Sequence, residues 1–452
     1  MAHKLCGAAP GRCLEAGEIA ANFEDLHKPL NQLQAMAAAD HCIYCYDAPC
    51  ITACPTSIDI PTFIHQIRTR NVEGAAKTIL SQNIMGGTCA RACPTEVLCE
   101  EACVRNHSGE EPVEIGLLQR FAVDHLMAQG GKHPFERKPE SGKCIAVVGA
   151  GPAGLSCAHR AAMLGHGVTV FDARPKAGGL NEYGLAAYKM VDDFAQKEIE
   201  FLMGIGGIEI KHGQTLGGNV SLPVLRETFD AVFVAVGLGG SNRLGLDGED
   251  MAGVQDAIDF IEELRQTEPK ATMQVGKRVV VIGGGNTAID AAVQARALGA
   301  EEVTLVYRRD EDAMSATGFE VELARQSGVT VCLWARPTSI NGVGQVNSVT
   351  FERTKVGANG KLEGSGEYFD IAADHVLKAI GQKLDENMLD GLEVQDGKLK
   401  VGGDFMTSLD GVFAGGDCVK SGEDLTVQAV EDGKRAAHAI DRFFESAGGE
   451  YG

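Results

Sequence analysis

The stretch Lys143–Gly154 (KCIAVVGAGPAG) decides the fold of the larger part of this 452-residue chain. Its first half is a short apolar run typical of a buried parallel strand, and its second half is a glycine-rich turn that precedes a helical pattern. The next apolar run, Val168–Phe171, ends at Asp172, about 20 residues after the turn. Strand, glycine turn, helix, strand and acid in this order predict a dinucleotide-binding βαβ unit.

The residues of this unit have separate predicted tasks. A helix N-terminus binds the pyrophosphate of a dinucleotide, and the acid at the end of the second strand holds a ribose 2′-hydroxyl. The alternative is a purely structural glycine turn, which the surrounding pattern disfavours. The predicted cofactor contacts are Gly149, Gly151, Pro152, Ala153, Gly154 and Asp172.

A second unit of the same kind begins at Lys277–Gly283 (KRVVVIG). Its predicted contacts are Gly283, Gly284, Gly285, Asn286 and Thr287. The following strand ends in Arg308 and Arg309 instead of an acid, and a guanidinium there can pair with a 2′-phosphate, which favours NADP(H). The alternative is a pair of solvated arginines. Two dinucleotide sites in one chain imply a flavin and a nicotinamide nucleotide.

Ten of the 14 cysteines lie within the first 103 residues. Eight form two runs of short spacing, each with one Cys-Pro step, which is typical of iron–sulfur ligands. Zinc is the alternative, because closely spaced cysteines also build tetrahedral zinc sites. The first run is Cys42, Cys45, Cys50 and Cys54, and the second is Cys89, Cys93, Cys99 and Cys103.

Composition excludes several classes of protein. Acids outnumber basic residues 62 to 41, giving a net charge of −21, so a nucleic-acid groove is not expected. No apolar run is long enough to span a membrane, and no secretory signal is readable, so a cytoplasmic protein is expected. The polar stretch from residue 129 to residue 142 is a linker by composition.

Gln119 is a further candidate ligand. In a helix that starts at Ile115, Gln119 falls within the apolar arc formed by Leu118, Ala122 and Leu126. A buried amide needs a partner, and spacing alone favours an ordinary hydrogen bond over an oxygen ligand to a cluster.

Residues 143–452 resemble the two-dinucleotide-domain flavoproteins of glutathione-reductase type. The resemblance rests on both glycine loops and on Met406–Val419 and Thr426–Ala437, which match the segment that returns to complete the FAD site. It implies an α/β fold in which the NAD(P) domain is inserted in the FAD domain, with contacts at Ala379, Gly381, Gly416, Asp417, Thr426 and Val427. The disulfide reductases of that family need a cysteine pair beside the flavin. None lies between Cys157 and Cys332, so electrons are expected to leave through the clusters.

The predicted domains are a helical domain with two [4Fe–4S] clusters (1–140), the first part of the FAD domain (141–271), the NAD(P)H domain (272–380) and the second part of the FAD domain (381–452). Cys42–Ala76 and Gly87–Arg105 resemble the N-terminal module of dihydropyrimidine dehydrogenase, and the likeness extends, more distantly, to the small subunit of glutamate synthase. Residues 178–189 fit both families and add Gly179, Leu180 and Lys189 as cofactor contacts.

This resemblance implies specific ligands. One cluster would use Cys42, Cys45, Cys50 and Cys103, and the other Cys54, Cys93, Cys99 and Gln119, which reverses the preference from spacing alone. Cys89 becomes a spare thiol, while Cys6 and Cys13 are expected to be structural.

The match is to the flavin subunit of the bacterial two-subunit dihydropyrimidine dehydrogenases. Hydride would pass from NAD(P)H to FAD, and single electrons to an FMN- and cluster-containing partner that binds uracil or thymine. No side-chain acid, base or nucleophile is expected to be catalytic. The resemblance to the bacterial enzymes implies NADH as the electron donor, whereas Arg308 and Arg309 favour NADPH. The alternatives are a glutamate synthase small subunit or a related NADPH:acceptor reductase, and a redox-responsive flavin and cluster module without turnover.

Overall fold

The computed structural model describes residues 11–12, 14–389, 391–420 and 422–448, and the predictions for Cys6 and Cys13 lie outside these ranges. The α-helices, in chain order, are α1 (Ala16–Asn22), α2 (Gln32–Asp40), α3 (Pro49–Ala53), α4 (Ile60–Arg68), α5 (Val72–Gln82), α6 (Gly86–Ala92), α7 (Val104–His107), α8 (Ile115–Gln129), α9 (Pro152–Met163), α10 (Leu180–Tyr183), α11 (Phe194–Met203), α12 (Leu222–Thr228), α13 (Ala257–Gln266), α14 (Asn286–Ala297), α15 (Gly318–Gln326) and α16 (Thr426–Gly448). Short 3₁₀ helices span Thr95–Val97, Lys270–Thr272 and Glu386–Met388.

The β-strands, in chain order, are β1 (Cys144–Val148), β2 (Gly167–Asp172), β3 (Ile208–His212), β4 (Ala231–Val234), β5 (Gly240–Ser241), β6 (Val254–Asp256), β7 (Arg278–Gly283), β8 (Glu302–Val306), β9 (Thr330–Cys332), β10 (Ala335–Gly342), β11 (Val346–Val356), β12 (Leu362–Ala372), β13 (His375–Ala379), β14 (Gln382–Lys383), β15 (Val394–Gln395), β16 (Lys398–Leu399) and β17 (Val412–Ala414). The chain forms two compact units, each built from three separate segments. Unit 1 contains Met1–Leu26, Tyr183–Val191 and Ser241–Gln382; unit 2 contains His27–Glu182, Asp192–Gly240 and Lys383–Gly452.

Unit 2 contains a five-stranded parallel sheet in the order β17-β4-β1-β2-β3. The side chains of β1 alternate between two cores: Ile145 and Val147 belong to one, Ala146 and Val148 to the other. A strand covered on both faces is apolar throughout, which is why the quoted stretch has no polar alternation. Residues of α9 and α16 also belong to the first core, so these helices cover that face of the sheet.

The helices α2 to α8 form the cysteine-rich module, and α2, α4, α5 and α8 of this module share an apolar core with the sheet. In α4 the residues Ile60, Phe63, Ile64 and Ile67 are all buried, as their helical spacing predicts. They contribute to the same apolar core as residues of α5, α8 and β1, so the cysteine-rich module and the first dinucleotide-binding sheet are packed together within unit 2.

Unit 1 contains a second five-stranded parallel sheet, in the order β6-β13-β7-β8-β9, and a three-stranded antiparallel sheet, β10-β11-β12. The strand β7 repeats the arrangement of β1, with Val279 and Val281 in one core and Val280 and Ile282 in another. Two parallel dinucleotide-binding sheets and a preceding helical module confirm the predicted fold class. The finer division into four segments stays a prediction. Among the described residues, no helix has both the length and the apolar character needed to cross a bilayer.

Candidate functional site

The three glycines of the first loop occupy three different environments. Gly149 has φ +104°, and a Cβ there would lie 2.3 Å from the carbonyl oxygen of Ala235. At Gly154 a Cβ would lie 1.9 Å from the Gly149 oxygen, because the first turn of α9 packs on the loop. At Gly151, the residue before α9, a Cβ would meet nothing closer than Gly179 Cα at 3.8 Å. Turn, close packing and open approach are the three glycine roles of a pyrophosphate-binding loop.

The acid that ends β2 is held by the loop itself. One Asp172 oxygen accepts a hydrogen bond from the N–H of Ala150 (2.6 Å) and the other accepts one from the N–H of Arg174 (2.7 Å). These bonds fix the carboxylate at the carboxyl end of the strand, where ligands of open parallel sheets bind. Its contact to a ribose stays a prediction.

Two further glycines, Gly178 and Gly179, pack against the first loop. Gly178 donates its N–H to the Ala150 oxygen (2.7 Å), and a Cβ at Gly179 would lie 2.8 Å from Gly151 Cα. The predicted contact Leu180 follows, partly exposed, at the start of α10. The contacts Pro152 and Ala153 begin α9, where unpaired N–H groups of the first helical turn face the loop.

The returning segment brings an acid to the same sheet. Asp417 follows β17, and no described residue donates a hydrogen bond to its carboxylate. The pKa of Asp417 is raised to about 6, mainly by burial and also by the nearby charges of Asp424 and Asp432, which Lys398 partly opposes. Gly416, with φ +76°, donates its N–H to Asp432 (2.9 Å). A carboxylate without a protein donor, beside a loop shaped for pyrophosphate, fits the polar chain of FAD.

The helix α16 begins at Thr426, whose hydroxyl donates to the side-chain oxygen of Asn181 (2.8 Å), while Val427 is buried. Asn181 in turn donates its side-chain N–H to the sulfur of Met85 (3.7 Å), directly before α6. These two contacts connect the predicted flavin segment to the cysteine-rich module.

The second loop repeats the steric pattern in unit 1. A Cβ at Gly283 would lie 2.2 Å from the oxygen of Ala379, and a Cβ at Gly284 would lie 2.4 Å from the Tyr307 ring. Gly285 precedes α14, where Asn286 accepts a hydrogen bond from the N–H of Thr317 (3.2 Å) and Thr287 is exposed. Ala379 ends β13, and Gly381 (φ +90°) follows it.

The arginine pair is free to meet a ligand. Arg308 and Arg309 follow β8, both side chains are exposed, and neither guanidinium forms an ion pair with a described residue. Their backbone oxygens are fixed instead, by the hydroxyl of Thr354 (2.7 Å) and the N–H of Trp334 (3.1 Å). A rigid backbone with unpaired cations fits a phosphate-binding position.

Lys189 lies in unit 1 and is buried between two carboxylates. Its ammonium lies 2.8 Å from Asp290 and 2.5 Å from Glu320. Burial would lower the pKa of Lys189, but the two carboxylates outweigh burial and raise it. The lysine is therefore a charged structural anchor of α14, and a contact to cofactor stays a prediction.

Four of the predicted cluster ligands line one cavity. Its lining includes Cys42, Cys45, Cys50 and Cys103, with Ile64 and Ile115 on the apolar side. The pKa of Cys50 is raised to about 12, mainly by burial and also by the charges of Cys42, Cys103 and Cys45. Thiolates gathered in this way repel one another, and bound iron relieves that repulsion. The donor set therefore fits a [4Fe–4S] cluster.

The second set of sulfurs lies deeper. A hydrogen bond with Cys89 is the main cause that raises the pKa of Cys93, followed by burial and by the charges of Cys89, Cys99 and Cys54. Burial also raises the pKa of Cys99, with Glu100 and Cys54 contributing. In the described part of the chain no three His, Cys, Asp or Glu side chains are placed to hold a single metal ion. A [4Fe–4S] cluster does not need three ligands around one ion, because each of its thiolates binds a different iron.

Gln119 is buried, with 7% of its surface exposed, as the helical pattern predicts. Its side-chain N–H donates to the oxygen of Gly86 (2.7 Å), and no described residue donates to its Oε1. The hydrogen bond fixes the amide and leaves its oxygen available, which fits the predicted oxygen ligand. Every ligand assignment to an individual cluster stays a prediction.

Sequence reasoning missed the groups that hold α6 in place. Glu198, in α11, accepts hydrogen bonds from the N–H of Gly87 (2.8 Å). Arg91 donates to the Gly87 oxygen (3.0 Å), pairs with Asp124 (2.8 Å) and lies 3.4 Å from the Phe194 ring centre. Nothing in the local pattern of α11 distinguishes Glu198 from a solvated helix residue, so the sequence offered no signal for it.

Comparison with known proteins agrees with this geometry. Residues 19–131 match the sequence family described as dihydropyrimidine dehydrogenase domain II, 4Fe-4S cluster. Residues 143–433 match the pyridine nucleotide-disulphide oxidoreductase family.

Two curated relatives cover nearly the whole chain. The small chain of glutamate synthase [NADPH] from Escherichia coli (strain K12) is 35% identical over an alignment of 448 positions, which covers 94% of this chain and 94% of that protein. The NAD-dependent dihydropyrimidine dehydrogenase subunit PreT from the same organism is 33% identical over 425 residues, covering 94% and 98%. The two identities do not place one relative clearly nearer than the other.

Among solved structures, FprA from Mycobacterium tuberculosis in complex with NADPH is similar in fold, with a TM-score of 0.59 and 19% identity over 69% of this chain and 86% of that chain. Fold and site together define an NAD(P)H-dependent flavoprotein oxidoreductase whose cofactors are FAD, NAD(P)H and [4Fe–4S]. The chain belongs to the pyridine nucleotide-disulphide oxidoreductase family, and 94% of its length aligns with each of the two relatives named above.

Proposed function

We propose that this chain is the electron-input subunit of a dihydropyrimidine dehydrogenase, a role in which it delivers electrons from NAD(P)H to a separate pyrimidine-binding subunit. FAD, when bound, takes the hydride of NAD(P)H, and the iron–sulfur groups carry electrons one at a time. The chain's own residues bind and orient these groups. No side chain is needed as a general acid, base or nucleophile.

One observation carries the proposal: the link from α16 through Asn181 to Met85 and Gly86. Thr426 begins the helix predicted to face the flavin, and Asn181 bonds both Thr426 (2.8 Å) and the Met85 sulfur (3.7 Å). The next residue, Gly86, accepts the side-chain hydrogen bond of Gln119 (2.7 Å). This chain of contacts supports an electron path from the flavin site into the cluster module, with Gln119 at the near cluster.

The two ligand sets already described would bind the iron–sulfur clusters. The set with Cys54, Cys93, Cys99 and Gln119 is the deeper one, whereas Cys42, Cys45 and Cys50 are only partly buried. The partly buried set is the better placed to pass electrons to another protein. The relative named as a subunit supports a hetero-oligomer. The partner we propose is an FMN- and iron–sulfur-containing subunit that binds uracil or thymine.

The test uses the purified holoprotein under anaerobic conditions. We expect NADH or NADPH to bleach the flavin absorbance and to reduce an artificial dye, while uracil causes no nucleotide oxidation. Uracil-dependent oxidation should appear only when the pyrimidine-binding subunit is added. Uracil turnover by the homogeneous chain alone would contradict the assignment, and so would a flavin that neither nucleotide reduces.

A second candidate function is the small subunit of a glutamate synthase, which the 35% identity to that relative favours. The same electron path would then serve an amidotransferase partner. Glutamate formation from glutamine and 2-oxoglutarate with the large subunit added, and no uracil turnover with the pyrimidine subunit, would establish this alternative in place of the first.

A further inference from the structure

The loop between the first cluster cysteines exposes two large apolar side chains. Ile43 is 61% exposed and Tyr46 is fully exposed, at 106%. Ile43 also lines the cavity that contains Cys42, Cys45 and Cys50, so this apolar surface is continuous with the outer cluster site. Aromatic and aliphatic groups in this position contribute little to folding, whereas tyrosine is enriched at protein interfaces.

Acidic residues lie in this loop or next to residues of the cavity wall. Asp47 follows Tyr46, and Glu101 precedes Ala102 of the cavity wall. Glu111 is fixed nearby because its backbone oxygen accepts a hydrogen bond from Arg105 (3.1 Å). All three acids are exposed, and none forms an ion pair with a described residue.

The arginines near this loop are already paired with other acids, and Arg68, which lies 6.0 Å from the ring centre of Tyr44, pairs with Asp40 (2.5 Å). Arg105 lines the cavity but pairs with Glu110 (2.9 Å) and donates to the His41 oxygen (3.3 Å). His41 and His107 are exposed. We call Ile43, Tyr46, Asp47, Glu101 and Glu111 the exit face.

We propose that the exit face docks a one-electron redox protein whose contact surface is apolar and ringed by lysine or arginine. The apolar centre excludes water, and the acidic rim attracts and orients the basic partner. The net charge of −21 extends this attraction over a longer range at low salt. The inference rests on the proposed function only in assuming that electrons leave through the clusters.

Electron balance defines a suitable probe. One NADPH supplies a hydride, which is two electrons, and cytochrome c accepts one electron per haem. The overall reaction is therefore NADPH plus two ferricytochrome c giving NADP⁺, one H⁺ and two ferrocytochrome c. Cytochrome c is small, basic and soluble, so it has the chemistry required of the partner.

The first experiment maps contacts without any variant. The holoprotein and cytochrome c are joined by a carbodiimide, which links a carboxylate to a lysine only where the two touch, and the products are identified by mass spectrometry. We expect links at Asp47, Glu101 and Glu111 that disappear at high salt. Links confined to acids far along the chain, such as Glu367 or Asp370 on β12, would overturn the proposal.

The second experiment compares matched variants. Asp47→Lys should lower the second-order rate constant for cytochrome c about three- to tenfold at low salt, whereas Glu367→Lys, with the same change of net charge, should change it much less. Tyr46→Ser should weaken the reaction with cytochrome c more than Val343→Ser, which alters an equally exposed apolar residue. Reduction of uncharged benzoquinone and the iron content report whether Asp47→Lys and Tyr46→Ser remain intact.

The outcomes separate this inference from the proposed function. Equal effects of each variant and its control would refute the exit face even if uracil turnover with a partner is found. Selective effects on cytochrome c without any pyrimidine activity would support the exit face and refute the assigned partner. If Tyr46→Ser loses iron, the cross-link positions and Asp47→Lys still decide the result.

Discussion

The carboxylate of Glu198 accepts hydrogen bonds from both the backbone N–H (2.9 Å) and the hydroxyl of Thr88, a residue of the cluster module. Glu198 belongs to α11, beside the first dinucleotide-binding sheet, and Thr88 belongs to the first turn of α6, whose N–H groups lack helical partners. The pair therefore joins α11 to the helix that carries Cys89 and leads to Cys93. Burial raises the pKa of Glu198 to about 7, although the Thr88 and Gly87 hydrogen bonds oppose the rise.

Glu198 should make stability decrease with rising pH. Its folded-state pKa of about 7 lies above the ordinary 4.5, so the native state binds the proton more tightly than the unfolded state. The stabilisation is complete below pH 4.5 and is lost as the pH rises through 7, by ~3 kcal/mol at most. Glu198→Gln keeps an acceptor for both N–H groups, so its gain in stability over the wild type should be smaller at pH 5.5 than at pH 8. Thermal unfolding at both pH values measures this.

The control for this prediction is Glu200→Gln, which changes an exposed glutamate of the same helix. It should leave the difference between the two pH values unchanged. A Glu198→Gln variant with the same pH dependence as the wild type would show that the carboxylate is ionised throughout this range.

Two glycines of the first loop should respond differently to the same substitution. Gly151→Ala places its Cβ in open space with φ −79°, so the fold should persist while bound FAD falls at least tenfold, because the methyl group occupies the approach of the pyrophosphate. Gly154→Ala places a Cβ 1.9 Å from the Gly149 oxygen and should destabilise the protein by several kcal/mol. Flavin absorbance and circular dichroism separate the two effects. Full FAD content in Gly151→Ala would refute a pyrophosphate at this turn.

Gln119→Ala should remove one cluster and leave the other. The substitution deletes the oxygen that the Gly86 hydrogen bond leaves free, so iron and acid-labile sulfide should fall from about eight to about four per chain. Cys89→Ala, which alters a buried thiol of α6 that is not an expected ligand, should keep about eight. Zinc in place of iron and sulfide in the wild type would contradict both expectations.

The arginine pair should set the choice between NADPH and NADH. Arg308→Ala/Arg309→Ala should lower kcat/KM for NADPH about 10- to 100-fold, the range for a lost charged hydrogen bond, and should leave NADH nearly unchanged. Lys355→Ala/Lys361→Ala removes the same charge from exposed positions of the same unit and should preserve the ratio. If the ratio of the two efficiencies is the same in both double variants, the arginines do not bind the 2′-phosphate.

Local patterns predicted the strands, the glycine loops and the buried face of α4, because each depends on residues close together in sequence. The burial of Gln119 followed from the same helical period. Long-range contacts left no such signal. Glu198 has the appearance of a solvated helix residue, and only the folded chain brings α6 against it.

The position of the segment Tyr183–Val191 also depends on long-range contacts that the sequence does not reveal. By position it follows the first dinucleotide loop, yet it packs in unit 1, where Tyr188 donates to Asp290 (2.8 Å) and Ala187 donates to Gln294 (2.8 Å). The side chains that receive these bonds lie on α14, about 100 residues away. A sequence read in local windows cannot reveal which helix satisfies these groups.

The division of each unit into three segments has a consequence for synthesis on the ribosome. All of unit 1 has been translated once Gln382 is added, whereas unit 2 still lacks Val412–Ala414 and α16. At about 5–20 residues per second, the edge of the first sheet beside β4 waits several seconds for its last strand. During that interval the face of the sheet that α16 later covers is exposed. In the folded protein Gly433 of α16 packs closely against the Ala153 oxygen on this face. Unit 1 can therefore mature first, and the nascent unit 2 is the part that a chaperone would need to shield.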